Sequence, residues 1–308
     1  MSFLQIIDAQ IGYKFPLIKH VNTCAELGQL ILIIGDNGIG KTTLINSLLG
    51  QIPLLQGQIN IDQKNIAKQS SQDIAQKIAI VFSKTNTSPH LTTEDLISLG
   101  KYIHYPFYFK LKEEDKKKVQ SIIDDLQLQP YQHLPLNHLS DGNLQKAFIG
   151  RALAQNSPCI ILDEPTTHLD ETNKIAVLKL LRRIAKTYNK LIILSSHDWR
   201  LAKEFADLIW YIKDKTLYSG ITEDILTQHR ELTKTHLFEF HPNFVAPKII
   251  APNLEAEMLY SFLQKNSEKD LSQFTFSYIT NNWEISNHNF QAKAQNFTQI
   301  LEILKNIH

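Results

Sequence analysis

Three glycines, a lysine and two threonines fall within nine residues of this chain, Gly35-Asp36-Asn37-Gly38-Ile39-Gly40-Lys41-Thr42-Thr43. The spacing fits G-x-x-x-x-G-K-[ST], in which glycines turn backbone N–H groups toward phosphates. Lys41 then reaches the β- and γ-phosphates, and the Thr42 hydroxyl faces Mg²⁺. Further on, Cys159-Ile160-Ile161-Leu162-Asp163-Glu164-Pro165 is an apolar run ending in two carboxylates. Asp163, beside the glycine loop, is placed to hold the metal, and Glu164 to orient an attacking water. A role limited to capping a helix near Asp170 is the alternative, but Pro165 and Thr166 intervene. In Leu139-Ser140-Asp141-Gly142-Asn143, Ser140 as N-cap and the N–H groups around Gly142 offer an anion site at a helix start; a plain capped helix would need only Ser140. His197, in Ser195-Ser196-His197-Asp198, follows an apolar strand, where open α/β sheets gather ligand-binding groups.

These groups need a sheet to align them. Leu30–Ile34 reads as a buried strand before the glycine loop, and Lys41–Leu49 as a helix stopped by Gly50. Cys159–Leu162 and Leu191–Leu194 read as further strands. Alternation over Phe3–Tyr13 and Gly57–Asp62 indicates an antiparallel layer. Between Thr93 and Leu136 the pattern turns helical, with Val119, Ile122, Ile123 and Leu126 on one face behind Glu113-Glu114-Asp115. Leu208–Ile212 and Thr216–Tyr218 read as a hairpin, followed by a short helix over Ile221–Leu226.

Taken in order, these motifs resemble the ATP-binding subunits of ABC transporters over residues 1 to 228. The resemblance makes Gly35–Thr43 the Walker A motif, Leu139–Asn143 the signature, Ile160–Glu164 Walker B, Thr167–Asp170 the D-loop and His197 the switch histidine. It also places Tyr13 against adenine, although an aromatic at a strand end can equally be core. It implies an α/β P-loop ATPase core, a mostly parallel sheet with an antiparallel β-layer, and a helical subdomain over about 93–157. The implied activity is ATP hydrolysis with Mg²⁺, coupled to transport. One P-loop and one signature per chain further imply a homodimer or a paralogous partner, so that Ser140, Gly142 and Asn143 meet the nucleotide of the opposite subunit.

Two departures bear on chemistry. The signature reads Ser-Asp-Gly-Asn where the family has Ser-Gly-Gly-Gln, and Asp141 is expected to point away from phosphate. The Q-loop glutamine should follow Ile78–Phe82, where Ser83-Lys84 stands; a hydroxyl at Ser83 is too short for the same metal contact without water. Leu91–His104 and the Asp141 variant resemble importers of iron-siderophores, haem and vitamin B12. That resemblance implies integral-membrane permease subunits and a solute-binding protein in the complex. Soluble ABC ATPases of repair, translation or cluster assembly are the alternative, but their long coiled-coil insertions or paired cassettes are not in this sequence.

Composition supports an ordinary globular protein: 308 residues, 43% hydrophobic, 20% charged, formal net charge +1. That balance offers no broad basic field, so no nucleic-acid partner is expected. Two cysteines, Cys24 and Cys159, suggest no disulfide framework. Met1–Gln5 lacks the basic start of a signal peptide, and no window reaches a membrane span. A cytoplasmic location on the inner face of the membrane, through permease subunits, is therefore expected. Residues 229–308 read as a linker and a small α+β appendage: an aromatic and proline-bearing stretch over His236–Pro252, a hairpin with Asn281-Asn282 between Tyr278 and Trp283, and a final helix carrying Phe297, Ile300, Leu301, Leu304 and Ile307.

Overall fold

Four- to six-residue strands rich in Ile and Leu form the centre of the sheet because both of its faces are covered. The computed structural model describes residues 2–82, 88, 90–105, 110–196, 198, 200–229, 232, 244–267, 269–288 and 290–306. The chain divides into two compact units, Met1–Leu232 and Thr233–His308.

In the first unit the described residues form one sheet from β1 (Leu4–Gly12), β2 (Pro16–Ala25), β3 (Leu30–Ile34), β4 (Gln56–Ile61), β5 (Lys64–Asn65), β6 (Ile78–Val81), β7 (Cys159–Leu162), β8 (Leu191–Ser196), β9 (Leu208–Lys213) and β10 (Thr216–Ile221). Its order is β5-β4-β1-β2-β10-β9-β3-β8-β7-β6. Strands β9, β3, β8, β7 and β6 are parallel neighbours, whereas β1 pairs antiparallel with both β2 and β4. The helices are α1 (Lys41–Leu48), α2 (Ser71–Lys77), α3 (Thr93–Leu99), α4 (Glu113–Asp125), α5 (Asp141–Ala154), α6 (Glu171–Thr187), α7 (Arg200–Phe205) and α8 (Thr222–Gln228).

Successive residues of one strand serve opposite cores, as the pleat requires. Ile31, Ile33, Ile161 and Ile193 pack with Leu44, Ile45 and Leu48 of α1 and with the antiparallel layer. Leu30, Leu32, Ile160, Leu162, Ile192 and Leu194 pack with Val119, Ile123, Ile149 and Leu178 of α4, α5 and α6. Removing one such side chain to the β-carbon costs about 2–5 kcal/mol. The strand β2 escapes a period-two reading. Its burial repeats irregularly, because its register against β1 shifts near Asp8 and His20, both of which adopt positive φ.

The second unit contains β11 (Lys248–Ile250), α9 (Asn253–Asn266), β12 (Thr275–Ile279), β13 (Asn282–Asn287), β14 (Phe290–Ala294) and α10 (Phe297–Asn306). Its sheet order is β11-β12-β13-β14, parallel at the first pair and antiparallel after it. The expected hairpin turns one residue earlier than the sequence suggests. Thr280 and Asn281 take positive φ of 47° and 61°, the backbone of a two-residue type I′ turn, and Asn282 already pairs with Ile279. Phe276, Trp283, Ile285, Leu259, Leu263 and Ile300 make a separate core. The aromatic linker residues Phe238 and Phe240, with Ile307, lie outside the described residues.

Candidate nucleotide site

The glycine loop joins β3 to α1 at the carboxyl edge of the parallel strands, and Asp163 leaves the same edge of β7. Helix α1 starts without a side-chain cap: its N-cap is Gly40, at φ 119°, and its first turn holds no acid. A side chain at Gly40 would be strained whatever the space around it, and a β-carbon at Gly38 would meet nothing within 4 Å. Within the loop the Ile39 N–H is taken by the Asp36 carbonyl at 3.3 Å, but among the described residues the N–H groups of Gly38, Gly40, Lys41 and Thr42 have no hydrogen-bond partner and lie at the positive end of the helix dipole.

Lys41 is buried, and its Nζ donates to the carbonyl oxygens of Gly35 at 2.7 Å and Asp36 at 3.1 Å. Burial lowers its pKa, while Glu164, Asp163 and Asp36 oppose that shift by favouring the charged form. A phosphate would take over from these carbonyls as the charge-assisted acceptor. Around the lysine, Gly35 is buried under Ile212, Asn37 is exposed, Ile39 packs on the core beneath the loop, and Thr43 is buried behind it.

The Thr42 hydroxyl donates to Asp163 Oδ2 at 3.1 Å, so two hard oxygens converge across the sheet edge. The other oxygen of Asp163, Oδ1, accepts from Ser195 Oγ at 2.7 Å, and the same hydroxyl accepts the Glu164 N–H at 2.8 Å. Glu164 has φ of 48°, which for a non-glycine residue costs about 1–3 kcal/mol and must be held by its surroundings. Thr167 Oγ1 completes the hold, lying 3.2 Å from both the Glu164 carbonyl and its Oε2. Sequence reasoning placed Ser195 only as a neighbour of His197. Its one local sign is a hydroxyl where the aliphatic run of β8 stops; that it stands level with the acids of β7 follows only from the strand pairing.

The donor set fits Mg²⁺. Among the described residues no three His, Cys, Asp or Glu groups gather to hold a metal unaided. A hydroxyl and one carboxylate beside an open phosphate loop is the arrangement expected of an ion that shares its shell with substrate phosphates and water.

Ser140, Gly142 and Asn143 stand apart from this cluster: among the described residues no hydrogen bond or ion pair joins them to Lys41, Thr42, Asp163 or Glu164. Ser140 is the exposed N-cap of α5 and accepts from the Asn143 N–H at 3.4 Å. Asp141 is exposed in the first turn. A β-carbon at Gly142 would lie 2.6 Å from Asn173 Oδ1, so this glycine lets α5 press on the start of α6. There Asp170 caps the helix, taking the Asn173 N–H at 2.7 Å and its Nδ2 at 2.9 Å. Tyr13, just past β1, is 65% exposed, leaving its ring open for stacking. Ser83 and His197 lie outside the described residues, although the strands leading to them, β6 and β8, end at the same edge as β7.

Comparison with known proteins gives a consistent picture. The ABC transporter family model matches residues 18–167. The iron(3+)-hydroxamate import ATP-binding protein FhuC of Bacillus subtilis is 30% identical over 235 residues, covering 74% of this chain and 87% of that protein. The petrobactin import ATP-binding protein FpuC of Bacillus anthracis is 30% identical, covering 68% and 77%. The achromobactin transport ATP-binding protein CbrD of Dickeya dadantii is 31% identical, covering 74% and 86%. Among solved structures, the ATP-binding cassette MJ0796, in a dimeric post-hydrolysis state bound to ADP and Pi, superposes with a TM-score of 0.62 at 25% identity, covering 71% of this chain and 98% of that one.

Proposed function

This chain belongs to the ATP-binding subunits of ABC transporters, and from that premise we propose that it drives the uptake of iron–siderophore chelates through a membrane permease. ATP binding and hydrolysis are the activity of the family. The observation that carries the site assignment is the Thr42–Asp163 pair, 3.1 Å apart beside a loop of open N–H donors and next to Glu164.

Each residue has a derived task. The loop amides and Lys41 cradle the phosphates, and Tyr13 stacks on the base. Thr42 and Asp163 would hold Mg²⁺, which when bound neutralises charge on the phosphates. Glu164 orients the attacking water and accepts its proton. Ser140 and the amides of Gly142 and Asn143 read the γ-phosphate held by a second copy or a paralogue, because within one chain they stand apart from the cluster. Closing that pair moves the permease, and hydrolysis reopens it. Ser83 and His197 are assigned the loops that sense metal and γ-phosphate.

The iron-chelate reading rests on the names of the relatives and on Leu91–His104, whose α3 begins with a full capping box between Thr92 and Asp95 and so holds a defined surface for a permease. A solute-binding protein would deliver the chelate on the far side, leaving this chain on the inner face. No helix among the described residues is long and apolar enough to cross a membrane, so the permease must provide the path. Residues 1–228 form the ATPase domain, and 229–308 an appendage for dimerisation or regulation. Expression with its neighbouring membrane chains tests this reading. The expected result is a detergent-stable complex whose ATP hydrolysis rises with iron–siderophore-loaded binding protein. Copurification with nucleic acid and no membrane chain would overturn it.

A further inference from the structure

Ser195 is fully buried near the end of β8, and its hydroxyl bonds in both directions: the one hydrogen goes to Asp163 Oδ1 and a lone pair receives the Glu164 N–H. No other described side chain joins the two adjacent acids in this way. We propose that Ser195 is a positioning residue for hydrolysis, setting both how Asp163 meets the metal and where Glu164 points.

The first effect follows from carboxylate geometry. With Oδ1 held at 2.7 Å by Ser195, only Oδ2 faces Thr42. Asp163 thus presents one oxygen to the metal side, which suits a small cation that keeps most of its shell for phosphate and water. Without the hydroxyl, a buried carboxylate oxygen loses its donor, and the side chain is free to turn both oxygens outward. The second effect follows from the backbone. Glu164 is at positive φ, its N–H is fixed by Ser195 and its carbonyl by Thr167. Removing the first hold frees the peptide to relax to negative φ, which swings the carboxylate away from the water it must orient.

Sheet position makes the hydroxyl dependable. Strands β7 and β8 are parallel, with Leu162 opposite Leu194, so the residue after Leu194 lies level with the residue after Leu162. Ser195 therefore meets Asp163 through regular ladder geometry rather than through a loop. Aliphatic side chains fill the rest of β8 up to this point, and a hydroxyl at its end has no hydrophobic purpose.

The inference rests on the ATPase reading, and the two fail differently: a wild-type chain without ATPase activity would reject that reading, whereas an unaffected variant would reject only this one. The test compares wild type with Ser195→Ala, Ser195→Cys and Ser195→Thr in the full chain. Each is measured for steady-state hydrolysis, for ATP binding in EDTA, and for the gain in ATP affinity on adding Mg²⁺. Ala and Cys should lower kcat about 10- to 100-fold, the worth of a hydrogen bond to a charged group. They should leave metal-free ATP binding unchanged and shrink the Mg²⁺-dependent gain. Thr, which keeps the hydroxyl, should restore both readings. Cysteine keeps nearly the same volume with only weak hydrogen bonding, so a folded variant exists if alanine destabilises the strand. Wild-type kcat and metal dependence in Ala or Cys would overturn the proposal. So would an equal loss of metal-free binding in all three variants, which would mark Ser195 as structural.

Discussion

In the mechanism proposed above, helices α1 and α5 both aim an N-terminus at phosphate, yet they start in opposite ways. Helix α1 begins at Gly40 with no side-chain cap and no acid in its first turn. Helix α5 begins at Ser140, which caps it, and carries Asp141 in that turn. The first leaves its donors for a ligand of its own chain. The second is satisfied within the chain, and its serine cap bond, at 3.4 Å, is long enough to be exchanged for another acceptor. Helices α2 and α3, which carry full capping boxes with Asp73 and Asp95, show the closed form. Absence of a side-chain cap is not by itself the mark of a phosphate end, since α4, α8 and α9 also lack one; those three carry acids in the first turn, whereas α1 has neither cap nor acid.

Substitutions can break or sharpen that contrast. Lys41→Met should have the largest effect, removing the one cation that α1 sets under the phosphates. Turnover should fall at least about 10²- to 10³-fold, as when a transition-state donor is lost, and ATP titration should show weakened binding. Ser140→Arg should reduce turnover about tenfold or more while nucleotide binding to the single chain stays unchanged; a matching loss of binding would erase the distinction between the two helices. Gly142→Ala should give a smaller, severalfold loss of turnover, since the new methyl must displace Asn173, which holds Asp170. Ser70→Ala at α2 should leave turnover untouched and lower unfolding stability by about 1 kcal/mol in a denaturant titration, because its cap serves only the helix.

Much of the catalytic edge was legible in the sequence because it is built from local patterns. Continuous apolar runs gave β3, β7 and β8, and a glycine loop or an acid pair marked the end of two of them. Ser195 was not legible, since its meaning depends on β8 lying beside β7, a long-range pairing that no spacing encodes. Strand β2 was missed because its bulges break alternation, and α9 because only Leu259, Leu263 and Gln264 of it are buried, too narrow a stripe to stand out. Strand β14 buries little beyond Ala294. The turn at Thr280-Asn281 was misplaced by one residue, since both candidate pairs contain an asparagine suited to positive φ.

The central claim is that the α1 and α5 ends meet only across two chains. Its most direct test is the mass in solution of Glu164→Gln with and without ATP, by light scattering on a sizing column. Binding without hydrolysis should give a dimer with ATP and a monomer without it, and adding Ser140→Arg should abolish the dimer. A Glu164→Gln protein that stays monomeric with ATP bound, or that hydrolyses ATP at the wild-type rate, would contradict the account.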